Sequence, residues 1–161
     1  AARLADRLLY MEAGAVTAEG PVGEVLTRLD LAPAQRPEAE AVIGGRISEV
    51  SPGEGLVRVA FDGGALWIAA GDQPVGRAAR VAIPARDVAL ARAPVAGTSL
   101  LNQLAVSVTE VTPVGEAHQL VRLLAGETPL LARITRRSAA ELGVAPGWSG
   151  WALVKSAALR A

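Results

Sequence analysis

The chain contains no cysteine and a single histidine, His118, in 161 residues. Disulfides and thiolate metal sites are excluded, and one imidazole cannot supply a multi-histidine metal centre. Aromatic residues make up only 3%. A core must then be built from Val, Leu, Ile and Ala, which dominate the 51% of hydrophobic residues. Neither sign of charge is in excess, with 16 Lys and Arg against 16 Asp and Glu. A bulk nucleic-acid or anionic membrane surface calls for a cationic surplus, and single-strand binding calls for aromatic stacking platforms. Apart from tryptophan, Tyr10 and Phe61 are the only aromatics, so nucleic acid is not an expected partner. No apolar run approaches the roughly 18 residues of a membrane span, and no signal-peptide pattern opens the chain. Nucleophile-elbow, zinc-protease and phosphate-loop motifs are all absent. The composition describes a soluble, cytoplasmic chain with no catalytic motif of its own.

What is present is a unit written twice. Glu49-Val50-Ser51-Pro52, a glycine-containing turn and Leu56-Val57-Arg58-Val59 return as Glu110-Val111-Thr112-Pro113, a turn and Leu120-Val121-Arg122-Leu123. Each copy runs on into an apolar stretch, Leu66-Trp67-Ile68 in the first and Leu130-Leu131-Ala132 in the second. Short Val/Leu/Ile runs broken by Gly, Pro and Asp predict β-strands. The duplication predicts two small barrels side by side, with a concave seam between them as a natural ligand site.

Ahead of the duplication, Ala1 to Arg7 has helix-like composition. Leu8 to Met11 and Ala15 to Ala18 predict a hairpin around Glu12-Ala13-Gly14. Val22, Val25, Leu26 and Leu29 recur at helical spacing. Such a fragment cannot bury a core alone, and reads as the tail of a larger protein. Residues 1–30 form this segment. Residues 31–41, with Pro33 and Pro37, read as a linker. Residues 42–96 form the first β unit and residues 97–161 the second, with a second linker over residues 91–98. Within the second unit, Ser138 and Glu141 make a capping box, so Ser138 is the predicted N-cap of a helical turn ending near Gly143.

The second unit also carries small donors that the first lacks. These are Ser99 with Asn102, Thr135 with Ser138, and Lys155 with Ser156. In the first unit the stretch corresponding to the last pair is Pro84-Ala85-Arg86, where proline has no N–H to give. Hydroxyls, amides and one lysine, with no carboxylate nearby but Glu141, suit a small multivalent anion. A site of donors alone favours an unprotonated oxyanion such as molybdate, tungstate or sulfate over protonated phosphate. Each residue also has a plain structural reading: Ser138 as a cap, Lys155 as a solvated surface group, Ser99 and Asn102 as turn formers. Arg136 and Arg137 read as solvent-facing, and His118 as an exposed turn residue.

Two stretches resemble a known family. Leu4-Ala5-Asp6-Arg7, Met11-Glu12-Ala13-Gly14, Gly20-Pro21 and Glu24-Val25-Leu26 are similar to the closing segment of ABC ATPase domains. Ser99-x-x-Asn102, Ile134-Thr135-x-x-Ser138 with Leu142-Gly143, and Ala152 to Ser156 resemble the molybdate-binding Mop/TOBE domain, an OB-like β barrel. Together they liken the chain to the C-terminal part of the ATP-binding subunit of bacterial molybdate ABC importers. The resemblance implies a mainly β fold of two tandem OB-like barrels preceded by a hairpin and helix remnant of the ATPase domain. It implies molybdate or tungstate as ligand, held by Ser99, Thr135, Ser138, Lys155 and Ser156, with Asn102 structural. No covalently bound cofactor is implied, and ATP and magnesium belong to an ATPase domain that is missing from this sequence. The implied partners are a second copy of the chain and, through the ATPase domain, the permease subunits at the inner face of the plasma membrane. The implied task is inhibition of uptake when the anion is plentiful. The pattern departs from the family at Leu101, where several molybdate-binding relatives carry arginine. That departure keeps open the alternative of a ligand-free structural dimerisation module.

Overall fold

The computed structural model describes residues 5–160. Leu4 of the first motif, and residues 1–4 of the helix-like start, lie outside the described residues. Of the rest of that start, Ala5 and Asp6 are irregular and Arg7 already belongs to a strand.

The arm opens with the expected hairpin, β1 (Arg7–Glu12) and β2 (Ala15–Pro21), paired antiparallel around Ala13 and Gly14, both at positive φ. Helix α1 (Val22–Leu26) follows and buries Val22 and Val25. Residues 31–41 are packed: they hold the one-turn helix α2 (Ala32–Gln35), and Leu31, Ala34 and Ala39 are buried. Two arginines fasten the arm. Arg80 donates to the Ala5 carbonyl at 2.8 Å and to the Asp6 carboxylate. Arg122 donates to Glu24 Oε2 at 2.6 Å and to Thr27 Oγ1 at 3.3 Å.

Ten further strands form two curled, five-stranded, antiparallel sheets. They are β3 (Glu40–Ser51), β4 (Leu56–Phe61), β5 (Gly64–Ala69), β6 (Ala78–Pro84), β7 (Val88–Ala91), β8 (Asn102–Val114), β9 (His118–Ala125), β10 (Thr128–Thr135), β11 (Ser149–Val154) and β12 (Ala158–Arg160). The duplicated motif folds twice into the same object. Glu49 pairs with Arg58 and Val50 with Val57 in the first sheet; Glu110 pairs with Arg122 and Val111 with Val121 in the second. Both long strands break register at the same place, between Ile47 and Glu49 and between Val108 and Glu110. The extra residue is Ser48 in one copy and Thr109 in the other. Each hydroxyl donates to the carbonyl of the paired arginine, Arg58 at 3.2 Å and Arg122 at 3.3 Å. Bulges of this kind bend a strand and sharpen its twist, which is what curls each sheet.

The order of the sheets shows an exchange. The first runs β12-β6-β3-β4-β5 and the second β10-β9-β8-β11-β7. Each copy therefore gives its last strand to the other sheet: β7 pairs with β11, and β12 pairs with β6. A 3-10 turn over Ala85–Asp87 carries the chain from β6 to β7. The two inner faces share one continuous core that includes Ile43, Val57, Leu66 and Val81 from one sheet and Leu104, Val121, Leu130 and Val154 from the other. Each fully buried side chain of this size contributes about 1.5–3 kcal/mol. The architecture is mainly β, and its two half-barrels are those expected of tandem OB-like units.

Candidate oxyanion site

The second sheet curls until its edge strands face each other, with β10 packed against β7. At the end of this seam, beside the 3-10 turn, lies a cavity of about 320 Å³. Thr135 and Ser138 from the junction of β10 with α3 (Arg136–Leu142) and Lys155 from the end of β11 all line it. Three of the five expected ligand residues thus converge. Asn102 stands apart from the cavity and ties the two sheets: its side chain accepts from the Trp67 N–H and donates to the Trp67 carbonyl, both at 2.8 Å.

The remaining two are placed differently. Ser99 is exposed in the loop before β8, and its neighbour Leu100 lines the cavity. Ser156 is also exposed, and its hydroxyl donates to Asp87 Oδ2. The expected N-cap also moves. Thr135 caps α3, its Oγ1 accepting from the Ser138 N–H at 3.1 Å and donating to Ser138 Oγ at 2.8 Å. The helix starts one turn earlier than the Ser138–Glu141 capping box predicts, because β10 runs through to Thr135 and leaves extended backbone there, as a cap requires. Gly143 ends the helix in the left-handed region at φ 71°, as expected.

The cavity wall holds residues that the sequence pattern did not nominate. Arg133, two residues before the cap, lines it, and its Nη1 is buried with no hydrogen-bond partner among the described residues. An orphaned buried guanidinium nitrogen is costly unless an anion satisfies it. His118 lines the cavity at the start of β9 and is half-buried rather than an exposed turn residue. Arg86 and Asp87 also line it, although both belong to the first unit by sequence. The exchange of β7 carries them across. Their presence changes two expectations: the first unit is part of the wall, and the donors have a carboxylate among them. The argument that such a site refuses protonated phosphate therefore loses its premise, since Asp87 can accept a proton donor.

Electrostatically, Arg86, Arg133 and Lys155 face one carboxylate, Asp87. Asp87 offsets one of the three cations and leaves two uncancelled, the complement of a dianion. None of the three cations is in an ion pair among the described residues. Lys155 is the only lysine of the chain. The equivalent seam of the first sheet lies between β5 and β12. Leu66 and Leu130 hold matching places in the two hairpins, so Ala69, Ala70 and Gly71 stand there where the second sheet has Arg133, Ile134 and Thr135. Only one of the two seams carries the chemistry.

A family model described as the TOBE domain matches residues 98–161. Over 98% of its length the chain is 47% identical to the molybdenum import ATP-binding protein of Thiobacillus denitrificans, and covers 44% of that protein. It is 46% identical over 98% of its length to the protein of the same name from Methylococcus capsulatus, covering 45% of it. With the first such protein of Azotobacter vinelandii the identity is 43% over 98% of the chain, covering 44% of the relative. The chain spans less than half the length of these curated relatives. The expected kinship with the ATP-binding subunit of molybdate importers is borne out. Among solved structures, the fold matches that of the cytoplasmic molybdate-binding protein ModG, crystallised with molybdate bound. The TM-score is 0.61 at 24% identity, over 74% of this chain and 94% of that one. This likeness concerns the fold. It also supports the reading of the TOBE domain and the preceding unit as tandem half-barrels.

Proposed function

We propose that this chain is the oxyanion-sensing region of the ATP-binding subunit of a molybdate importer, and that the seam between β10 and β7 holds molybdate or tungstate. The observation that carries this reading is that Arg133, whose buried Nη1 has no partner among the described residues, lines one cavity with Thr135, Ser138 and Lys155. A tetrahedral dianion would accept from the guanidinium, the ammonium and the Ser138 hydroxyl at once, the Thr135 hydroxyl having given its proton to Ser138 Oγ, and charge-assisted bonds of this kind are the stronger class. The names of the relatives, and the molybdate in ModG, favour this anion over others of the same shape.

The role follows from linkage. An anion that binds one arrangement of two subunits better than another shifts the population toward that arrangement. Paired copies of this region, loaded with molybdate at the cytoplasmic face of the membrane, would hold the ATP-hydrolysing portions of the transporter apart and so lower uptake. ATP and magnesium are assigned to the portion of the relatives that this chain does not match, and contact with the permease to the same portion.

A second reading, a dimerisation module without ligand, is favoured by Leu101, which is 60% exposed where several molybdate-binding relatives carry arginine, and by the engagement of Ser156 with Asp87. Calorimetric titration with molybdate separates the two. Saturable binding at one anion per chain, weakened at least about tenfold in Lys155→Ala, supports the sensor. No heat from a folded protein leaves the structural module.

A further inference from the structure

We propose a second ligand site, independent of the first, in which a groove on the first sheet binds an organic phosphate. The groove has a volume of about 670 Å³ and lies where β3, β6 and β12 meet the arm. Arg77, Arg80 and Arg160 all line it. The Arg160 Nε is buried without a partner among the described residues, while its Nη2 reaches Glu40 Oε2 at 3.2 Å. The floor is bare backbone at Gly44, where an added Cβ would meet nothing within 4 Å. Ile47 and Leu159 supply apolar wall.

The groove already accepts one anion, since Arg80 holds the carboxylate of Asp6. That side chain is 92% exposed, so water screens the pair and a competing anion displaces it at little cost. Three guanidinium groups around one cleft suit phosphate, whose oxygens match their forked donors two at a time. The volume lies in the range of small-molecule sites, well above what a lone tetrahedral anion fills. The apolar wall and open glycine floor take the organic part. The arginine set belongs to the first sheet alone: at the matching places of the second sheet Ala105 stands for Gly44 and Trp151 for Arg80, as the register of β8 with β11 shows.

The test is a titration of the chain with AMP as the probe, inorganic phosphate as the minimal anion and Lys155→Ala as the control at the other site. AMP should bind saturably, and at least about tenfold more tightly than inorganic phosphate, because only AMP uses the apolar wall. Replacing Arg77 and Arg80 together by alanine should weaken AMP at least about tenfold. Asp6→Asn should tighten it by removing the competitor, and Lys155→Ala should leave it unchanged. Because Arg80 also fastens the arm, Gly44→Val provides a separate reading: its Cβ meets nothing within 4 Å, its methyl groups occupy the floor, and it should abolish AMP binding with an unchanged melt. Failure of AMP to saturate, binding that survives both Gly44→Val and the double arginine variant, or loss in Lys155→Ala would each overturn the proposal. None of these results bears on molybdate at the TOBE seam.

Discussion

Replacing Gly126 by alanine adds one methyl group where the two copies touch. Gly126 lies in the turn between β9 and β10 at φ 58°. A Cβ there would sit 2.7 Å from the Cα and 3.1 Å from the N of Gly63, in the turn between β4 and β5. Gly115, in the turn between β8 and β9, has nearly the same backbone, φ 61°, with nothing within 4 Å of an added Cβ. Both substitutions carry the left-handed strain of about 1–2 kcal/mol. Only Gly126→Ala adds the overlap between turns, which overpacking studies put at about 1–3 kcal/mol. The difference between the two variants isolates the contact from the strain. For a chain of this length, each kcal/mol moves the melting midpoint by roughly 2–4 °C. Gly126→Ala should therefore melt roughly 2–12 °C below Gly115→Ala, and its urea midpoint should fall with an unchanged slope. Gly63→Ala should be worse, since its Cβ would lie 1.8 Å from the Ala125 carbonyl oxygen. Equal midpoints for Gly126→Ala and Gly115→Ala would refute the docking of the two turns.

Three other outcomes are expected. Arg133→Met should weaken molybdate binding at least about tenfold while keeping the fold, since methionine retains much of the apolar stem and removes the charge; an unchanged isotherm would remove Arg133 from the site. Asn102→Ala should cost about 1–3 kcal/mol in urea unfolding, because the Trp67 N–H and carbonyl lose their partner together; a change below about 0.5 kcal/mol, the range of ordinary surface substitutions, would show water replacing it. The Asp30 carboxyl is held below its ordinary value, first by its hydrogen bond from Arg28. Its folded value is depressed, so its contribution is present above the ordinary carboxylate range near pH 4 and is lost as pH falls through the lower folded value. The pair is exposed, so Asp30→Asn should leave the neutral-pH melt nearly unchanged and slightly flatten the acid limb; a large loss at neutral pH would contradict this.

Much of the fold could be read directly from the sequence, because the copies share their punctuation. Glu-Val-Ser/Thr and Leu-Val-Arg fall at the same ladder positions in both hairpins, and even the bulge residues Ser48 and Thr109 correspond. The strand exchange was not legible. β7 and β12 have four and three residues, too few to carry a register, and nothing local says which sheet they join. The site was half legible for the same reason. Thr135, Ser138 and Lys155 announce themselves as polar residues at strand ends. Arg133 hides inside an apolar run, and Arg86 with Asp87 reaches the cavity only through the exchange. The capping box at Ser138 misled because Thr135, three residues earlier, is an equally good cap and the strand extends that far.

One dianion should sit in the seam between β10 and β7 of a single chain. Crystals grown with molybdate and measured at the molybdenum absorption edge should show one anomalous peak per chain, within hydrogen-bonding reach of Arg133, Thr135, Ser138 and Lys155. A peak at the seam between β5 and β12, or at an interface between two copies away from these residues, would contradict it.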